Sequence, residues 1–337
     1  MRINRFNTDK NVLVIAEIGN NHEGNPDTAE KMILEAAAAG ADAVKFQTFK
    51  TELFIDRNNT ARFERLKSFE LSQEVFMKLY HVAQKAGVLF LSTPFDLESA
   101  EFLNKIVPAF KIASADNNFF PLLQFVAGTG KPVIISSGLV DINEIRHSKN
   151  YIETIWNNRN INGELAVLHC VTSYPTLPED ANLNAIRHLQ KEFGCTIGYS
   201  DHTMGTTAVT AAVSMGARII EKHFTLDKNY SDFRDHRLSA DPAEMKSMVK
   251  TIRDIEILMG TGIKEPRDAE KKELQNNIRR FIVAKINLMP GHIVSTNDIT
   301  WLRIKGELPA GMENNIIGRK ITKGIAAGEP VSMNHFN

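Results

Sequence analysis

The sequence predicts an α/β protein, a (β/α)8 TIM barrel followed by a small, mostly β domain. Short runs rich in Val, Ile and Phe alternate with longer segments of helical period, which is typical of parallel α/β proteins. Eight strand-then-helix units fit into about 260 residues, the size of this barrel. A doubly wound open sheet is the alternative. It usually has fewer units and a Gly-rich nucleotide fingerprint, which we do not find in the sequence.

Eight apolar segments are the predicted barrel strands, and three helices have clear limits. The first strand is residues 11–19 and the second residues 41–49; VLFLSTPF, AFKIASA, KPVIISSG, ELAVLHCVTSYP, TIGYSDHT and RIIEKHFT follow in order. A helix is expected from Pro26, which suits a first turn, to a C-cap at Gly40. Further helices are expected over residues 73–86, where Gly87 ends the helix, and over residues 241–259. A longer polar loop is predicted between the second strand and residue 73.

The composition changes near residue 264, which indicates a second domain. Residues 264–277, KEPRDAEKKELQNN, are charged and polar, and brief β-type runs separated by Pro-Gly, Ala-Gly and Lys-Gly turns follow them. We therefore expect a catalytic barrel over residues 1–262, a linker over 263–278 and a small domain over 279–337. A domain of that size is near the lower limit for independent folding.

The charge balance and the cysteine content exclude several classes of protein. The 40 basic and 40 acidic side chains cancel, so no net field attracts nucleic acid or an anionic membrane surface. The two cysteines do not suggest a disulfide framework and favour a reducing compartment. We see neither a signal-peptide layout at the N-terminus nor an apolar stretch of the ~18 residues that a membrane helix needs. The sequence thus predicts a soluble, cytoplasmic protein without nucleic-acid or membrane partners.

Polar or ionisable residues end nearly every predicted strand. They are Glu17; Lys45 and Gln47; Ser92 and Thr93; Lys111 and Ser114; Ser136 and Ser137; His169 and Tyr174; Ser200, Asp201 and His202; and Glu221, Lys222 and His223. In a barrel these ends meet on one face, where active sites lie. Each residue alone could simply bond the next loop, but that explanation is weaker for a ring around almost the whole barrel.

The chemistry of this ring suits an anion and a metal ion. Two lysines, several hydroxyls and backbone amides at helix N-termini are appropriate for a phosphate group. His202 and His223 at neighbouring strand ends suit manganese, iron or zinc, although a single histidine is more often structural. Asp201 could order a neighbouring ring or a bound water, and Glu17 among cations could serve as a general base.

The motifs resemble those of the N-acetylneuraminate (sialic acid) synthase family, in order along the whole barrel. They are AEIGNNHEG, VKFQTF, STPFD, FKIASAD, ISSG, HCVTSYP, GYSDHT and EKHFT. The C-terminal region is similar, less closely, to the antifreeze-like (SAF) domain of that family. The resemblance implies a synthase that condenses phosphoenolpyruvate with N-acetylmannosamine or a related acylated amino sugar and releases phosphate. It also implies a domain-swapped homodimer.

The same resemblance implies roles for individual residues. Phosphoenolpyruvate would be held by Lys45, Thr93, Lys111, Ser114, Ser136 and Ser200. His202 and His223 would bind a divalent metal ion, Mn2+ first, with Mg2+ or Co2+ as alternatives. Gln47, Tyr174 and Asp235 would face the sugar, and Glu17 would handle protons.

Three departures from the family pattern surround the expected sugar site. Phe233 and Arg234 stand where Gly-Pro usually precedes Asp-His, and Val171-Thr172 replaces a Thr followed by Ser or Asn. The usual Arg-Pro-Gly turn of the C-terminal domain is absent, so Arg303 or Lys305 could substitute for its arginine. We expect the reaction to be kept while the sugar differs, with Arg234 and Arg303 as sugar-binding residues. Arg234 could also be a solvated loop residue.

Other functions are compatible with parts of the sequence. The leading alternative sugar is a 2,4-diacetamido-2,4,6-trideoxyhexose, giving a legionaminic- or pseudaminic-type acid. A synthase of 3-deoxy sugar acids from phosphorylated aldoses would need another cationic site, and none is obvious. A non-catalytic polysaccharide or coat assembly protein is the remoter alternative; the presence of Glu17, Lys45, His202 and His223 argues against it.

Overall fold

The chain divides into two compact units, Met1–Gly260 and Thr261–Asn337. The computed structural model describes residues 1–274 and 279–336. The last residues of the predicted linker, 275–278, and residue 337 of the predicted small domain lie outside the described residues.

The first unit alternates strands and helices from its third strand onward. Its strands are β1 (Arg2–Ile3), β2 (Phe6–Asn7), β3 (Leu13–Gly19), β4 (Ala43–Thr48), β5 (Leu89–Pro94), β6 (Phe110–Ile112), β7 (Val133–Ser136), β8 (Leu165–Cys170), β9 (Thr196–Asp201) and β10 (Ile219–His223). Its helices are α1 (Pro26–Ala38), α2 (Thr51–Phe54), α3 (Thr60–Phe69), α4 (Gln73–Ala86), α5 (Leu97–Leu103), α6 (Phe120–Gly128), α7 (Ile142–Arg159), α8 (Asn184–Glu192), α9 (Thr207–Ser214), α10 (Asp235–Leu238) and α11 (Pro242–Met259).

Strands β3 to β10 form one parallel sheet that curves into a nearly closed barrel. The order is β5-β4-β3-β10-β9-β8-β7-β6, and the last barrel strand, β10, pairs with the first barrel strand, β3, in the register Ile219↔Leu13. Strands β5 and β6 lie side by side at the remaining seam. The predicted (β/α)8 barrel is thereby confirmed.

Side chains of the barrel strands alternate between an inner and an outer face, and both faces are apolar at the amino ends of the strands. In β3, Val14, Ala16 and Ile18 pack outward against the helices. The inner face carries a separate cluster made of Met1, Ile3, Leu13, Ile15, Ala43, Leu89, Leu91, Ala109, Ile134, Ala166, Leu168 and Ile219. Because Met1 and Ile3 belong to this cluster, the β1–β2 hairpin closes the amino-terminal end of the barrel.

Two segments that the sequence predicts as loop or linker contain helices. The polar loop after β4 contains α2 and α3, and Glu70 accepts hydrogen bonds from the backbone N and Oγ1 of Thr51 at 2.9 and 2.7 Å. Helix α3 is mostly exposed: Phe69 is buried, and Phe63 and Leu66 are half-buried. This narrow apolar stripe does not stand out in the polar segment. The predicted linker contains α12 (Asp268–Leu274), rich in the helix formers Glu, Lys, Ala and Leu.

The second unit is small and mostly β. Strands β11 (Arg280–Ala284) and β12 (Ile299–Arg303) pair antiparallel, and isolated bridges join the turns that follow. Its core consists of Ile282, Ala284, Leu288, Val294, Ile299, Leu308, Ile316, Ile321, Ile325, Val331 and Phe336. Within residues 1–274 and 279–336, no helix is both long and apolar enough to cross a membrane.

Candidate active site

Polar side chains form a layer inside the barrel, directly above the apolar inner cluster. In β3, Glu17 follows Leu13 and Ile15 on the inner face because side chains alternate along a strand. The other members of this polar layer are Lys45 on β4, Thr93 on β5, Lys111 on β6, Ser136 on β7, Ser200 on β9 and Glu221 on β10. All of them are buried, so their charges and hydrogen bonds must be satisfied by one another or by a ligand.

Lys45 lies between two carboxylates on one side of the polar layer. Its Nζ is 2.7 Å from Glu17 Oε2 and 3.8 Å from Glu221 Oε2, and it donates a hydrogen bond to Thr93 Oγ1 at 3.0 Å. Burial lowers the pKa of Lys45, but the charges of Glu17 and Glu221 outweigh burial and raise it above its ordinary value. Lys45 therefore stays cationic inside the barrel.

Lys111 lies on the other side of Glu221. Its Nζ donates hydrogen bonds to Ser136 Oγ at 2.7 Å and to the Ile112 carbonyl at 3.2 Å, and lies 3.6 Å from Glu221 Oε1. Glu221 Oε1 also accepts a hydrogen bond from Ser200 at 2.8 Å. Burial lowers the pKa of Lys111, and the charge of Glu221 acts against that change.

The sequence assigns no role to Glu221, yet it connects both lysines of the polar layer. Burial raises its pKa, but Lys111, Lys45 and the bond from Ser200 outweigh burial and lower it. The lowered pKa favours the ionised form of Glu221 between the two lysines. Its position two residues before His223, in step with the alternation of β10, is the signal that places it on the inner face.

Glu17 has the electrostatics of a proton acceptor that works near neutral pH. Burial raises its pKa to about 7; the charge of Lys45 lowers it, and the charge of Glu221 raises it. Below that pH the lysines outnumber the ionised carboxylates, which favours an anionic ligand. A carboxyl group with a pKa near the working pH is suited to general acid–base chemistry.

A second group of polar residues lies where the loops after β6, β7 and β8 meet. The backbone N of Gly138 donates a hydrogen bond to Ser114 Oγ at 3.0 Å. A side chain at Gly138 would collide with Ser114 and Thr172, so the backbone must approach both residues closely. Thr172 Oγ1 is buried and lacks a hydrogen-bond partner among the described residues. The sequence identifies Thr172 only as a departure from the family pattern and assigns it no role.

His202 and His223 lie together at the carboxyl ends of β9 and β10. Their ring centroids are 5.5 Å apart, and both residues are buried. His202 Nδ1 donates a hydrogen bond to the Val171 carbonyl at 2.8 Å, which leaves the lone pair on Nε2. Burial lowers the pKa of His223 well below its ordinary value, and its Nδ1 has no partner among the described residues.

This pair suits a divalent metal ion that takes its other ligands from water or substrate. A neutral imidazole with an unpaired nitrogen can coordinate a metal ion directly. Burial lowers the pKa of His202 while the neighbouring Cys170 and the Val171 carbonyl raise it, with a net rise, and a metal ion would take the place of the proton on Nε2. Among residues 1–274 and 279–336, no three His, Cys, Asp or Glu side chains cluster as a metal site.

Tyr174, Arg234 and Asp235 form a stacked group beside the histidines. The Tyr174 ring centroid is 4.2 Å from that of His202 and 6.1 Å from that of His223. The Arg234 guanidinium lies over the Tyr174 ring, and its Nε donates a hydrogen bond to Asp235 Oδ1 at 3.2 Å. Burial raises the pKa of Asp235, while Arg234 lowers it, with a net rise.

Gln47 joins the group from the side of β4. Its Nε2 donates a long hydrogen bond of 3.4 Å to Glu17 Oε1. Its Oε1 accepts a hydrogen bond from Asn20 Nδ2 at 2.8 Å. The sequence assigns no role to Asn20, and no periodic pattern marks it, because it lies in the loop after β3.

Several strand-end residues of the predicted ring lie on the outer face instead. Asp201 pairs with Lys222 Nζ at 2.7 Å and accepts bonds from Tyr199 Oη and the backbone N of Thr203. Alternation along β9 turns Asp201 outward, and the Val171 carbonyl orients His202 instead. The suggested role of Asp201, to order a neighbouring ring or a bound water, stays a prediction. The ring of His169 likewise bonds the Ala181 carbonyl, and Ser92 bonds Thr48. Arg303 belongs to the second unit, at the exposed end of β12, and its role stays a prediction.

A cavity of about 830 Å³ opens at the opposite, amino-terminal end of the barrel strands. Met1, Glu153, Cys195, Thr196 and Arg218 are among its lining residues. We place the chemistry at the carboxyl ends, because the buried lysines, carboxylates and histidines converge there.

Comparison with known proteins identifies the family. Residues 32–264 match the NeuB family. An uncharacterized protein of Methanocaldococcus jannaschii is 46% identical over 312 residues, which are 92% of this chain and 90% of that protein. The N,N'-diacetyllegionaminic acid synthase of Legionella pneumophila is 37% identical over 338 residues, covering 96% of this chain and 94% of that protein.

A solved structure agrees in fold and sequence. The N-acetylneuraminic acid (sialic acid) synthetase of Leptospira borgpetersenii serovar Hardjo-bovis, in complex with citrate, aligns with a TM-score of 0.76 and 35% identity. The alignment covers 82% of this chain and 95% of that chain. The resemblance seen in the sequence motifs is confirmed, and the chain belongs to the NeuB family.

Proposed function

We propose that this protein is a nonulosonic acid synthase that condenses phosphoenolpyruvate with the open-chain aldehyde of an acylated amino sugar and releases phosphate. The observation that carries the proposal is the buried polar layer, in which Lys45 and Lys111 flank Glu221 beside Glu17 and the two histidines. Family membership and the similarity to the Legionella synthase and the Leptospira synthetase support the same reaction.

Phosphoenolpyruvate would bind within the polar layer. Lys45 and Lys111 supply two cations, and burial keeps water from screening their charges. The hydroxyl groups of Thr93, Ser136 and Ser200 form hydrogen bonds with Lys45, Lys111 and Glu221, respectively. Ser114 and the close backbone at Gly138 would complete the site beside Lys111. Fixing both anionic ends of the substrate would hold its C3 near attack distance from the aldehyde.

The metal ion would be held by His202 and His223, and we expect Mn2+, with Mg2+ or Co2+ as alternatives. When bound, such an ion supplies Lewis-acid polarisation of the aldehyde oxygen. Tyr174 packs against both rings and restricts their orientation.

Glu17 would take the proton that the reaction releases. C3 of phosphoenolpyruvate forms a bond to the aldehyde carbon with the electron pair of the C2–C3 double bond. The π electrons of the aldehyde C=O bond move onto its oxygen, which takes up a proton and becomes a hydroxyl group. Water adds to the electron-poor C2 and gives a proton to Glu17, whose pKa of about 7 suits a base at neutral pH. Loss of phosphate from C2 then leaves the keto acid.

The acceptor is N-acetylmannosamine or a 2,4-diacetamido-2,4,6-trideoxyhexose. Gln47, Tyr174 and Asp235 would contact it, because they lie around the space next to Glu17 and the histidines. Arg234 covers one face of the Tyr174 ring, so we expect it to influence which of the two sugars is accepted.

The resemblance also suggests the assembly and the location. We expect the C-terminal unit to be an SAF domain that covers the barrel of a partner in a homodimer, with Arg303 reaching the partner's sugar. Sedimentation of the purified protein measures this assembly. The free thiols of Cys170 and Cys195 agree with a reducing cytoplasm.

The first experiment incubates the purified protein with Mn2+, phosphoenolpyruvate and a panel of acetamido-hexoses, and measures released phosphate and the mass of the sugar acid. A product from N-acetylmannosamine identifies a sialic acid synthase. A product only from the diacetamido sugar keeps the reaction and selects a legionaminic- or pseudaminic-type acid. No phosphate release with any acceptor contradicts the proposal.

A further inference from the structure

Asn20, Gln47 and Glu17 form a directed chain of hydrogen bonds beside the polar layer. Asn20 is buried, with 5% of its surface exposed, and its Nδ2 donates to Gln47 Oε1 at 2.8 Å. Gln47 Nε2 in turn points to Glu17 Oε1 at 3.4 Å. The amide of Gln47 is therefore held at its oxygen end by one residue and presents its nitrogen end to the carboxylate.

An irregularity in the backbone of β3 allows Glu17 and Gln47 to approach each other. The pairing of β3 with β4 shifts between Glu17 and Gly19, and Gly19 has a φ of +54°. A Cβ at Gly19 would lie 3.1 Å from Glu17 Oε1 and 3.4 Å from Gln47 Nε2. A glycine is thus required where the two groups approach, and such irregularities re-aim side chains near active sites.

The direction of the Gln47 amide depends on Asn20. The two ends of an amide are similar in size, so hydrogen bonds decide which end faces a neighbour. Without the donor from Asn20, the Gln47 amide is free to rotate, and its oxygen would then be repelled by an ionised Glu17.

We propose that Asn20 is a positioning residue for the acceptor, acting through Gln47, whose amide it fixes with the nitrogen toward Glu17 and the reacting sugar. The inference rests on the proposed function, in which Gln47 contacts the acceptor. It assigns Asn20 no contact with phosphoenolpyruvate, because Lys45 contacts Oε2 of Glu17 while the Gln47 amide faces Oε1.

A double-mutant cycle tests this role. Asn20→Ala, Gln47→Ala and the double variant are compared for kcat and for the KM of each substrate. We expect Asn20→Ala to raise the KM of the acceptor about tenfold while the KM of phosphoenolpyruvate changes less than about twofold. In the Gln47→Ala background the same change should alter the acceptor KM less than about twofold, because the group through which Asn20 acts is gone.

Asn21→Ala is the matched control. Asn21 is also a buried asparagine, but its Nδ2 donates to the Phe224 carbonyl and to Ser239 Oγ, at 2.8 and 3.0 Å. Its replacement should lower the Tm without a selective change in the acceptor KM.

The outcomes separate the inference from the proposed function. Wild-type protein that makes no sugar acid contradicts the proposed function, and the acceptor role of Asn20 with it. Active wild type combined with equal effects of Asn20→Ala in both backgrounds, or with a parallel rise in the KM of phosphoenolpyruvate, overturns the role of Asn20 alone. Urea unfolding of the four proteins shows independently of turnover whether the two residues are coupled; additive losses of stability overturn the contact.

Discussion

The guanidinium of Arg234 lies over the ring of Tyr174, with Cζ 4.3 Å from the ring centroid. This relationship connects a departure from the family motif with the two histidines, because the Tyr174 ring lies 4.2 Å from that of His202. The neighbouring Phe233 packs edge-on against Phe69 of α3, 5.3 Å between centroids. The segment that carries Arg234 is thus held against the barrel by a helix.

Arg234→Gly should therefore change which acceptor the enzyme prefers. Removing the planar cation opens the space above Tyr174, and we expect the ratio of kcat/KM between the diacetamido sugar and N-acetylmannosamine to shift by about tenfold. Arg234→Lys keeps the charge but loses the stacked plane, so it should shift the ratio in the same direction by less. Arg237→Gly, an exposed arginine in α10, is the control. An unchanged ratio in both Arg234 variants would make Arg234 a solvated loop residue.

Glu17→Gln should fold normally and retain less than about a tenth of the wild-type turnover. Glu17 has a pKa of about 7, so the wild-type kcat/KM should rise with pH through that value as the base ionises. The residual kcat/KM of Glu17→Gln should not show this rise with pH. Turnover above a tenth of wild type would count against Glu17 as the proton acceptor.

The raised pKa of Glu17 also predicts a dependence of stability on pH. Between its ordinary value of 4.5 and about 7, the folded state binds the proton that the unfolded state has lost. The contribution of Glu17 to the free energy of unfolding therefore falls as the pH rises through this window. Urea unfolding measures the free energy of unfolding of wild type and Glu17→Gln at pH 5 and pH 8. This free energy should decrease less from pH 5 to pH 8 in the variant than in wild type. Equal decreases would place the folded pKa of Glu17 near its ordinary value.

Much of the barrel could be predicted because its signals are local. The limits of α4 follow from Ser72, which caps its first turn, and from Gly87, whose φ of +80° ends it. Helices α3 and α12 were missed because they are polar on most faces, and composition alone then resembles a loop.

Site residues could be predicted where the residue type alone indicates the chemistry. They could be predicted less well where the role of a residue depends on its neighbours in the fold. The parity of side chains along β9 and β10 separates Ser200 and Glu221 on the inner face from Asp201 and Lys222 on the outer face. That parity was available in the sequence. The link between Asn20 and Gln47 was not, because it joins loop and strand residues that are 27 positions apart.

Substitution of either histidine should remove the metal. We expect His202→Ala and His223→Ala, after dialysis against Mn2+, to retain less than about a tenth of the metal found in wild type by elemental analysis. His169→Ala is the control, since this buried histidine bonds the Ala181 carbonyl on the outer face of the barrel. Full metal content in both site variants would exclude the pair as ligands.

Glu221→Gln should destabilise the protein in a way that phosphate reverses. The variant leaves Lys111, 3.6 Å away, without its carboxylate partner, and breaking a buried pair costs about 3–5 kcal/mol. Phosphate bound in the polar layer would replace the lost negative charge. Added inorganic phosphate should therefore raise the Tm of the variant more than that of wild type.

Asp201→Asn provides the matched comparison for Glu221→Gln. It breaks a pair of similar burial, Asp201 with Lys222 at 2.7 Å, but on the outer face of the barrel. Its Tm should fall without any gain in the phosphate-induced shift, because Lys222 is buried on the outer face, away from the polar layer. Phosphate shifts of equal size in wild type and both variants would mean that the anion does not bind at Lys111 and Lys45. A larger shift in Glu221→Gln alone would place the anion site in the polar layer, since only there does the lost carboxylate leave a cation that phosphate can reach.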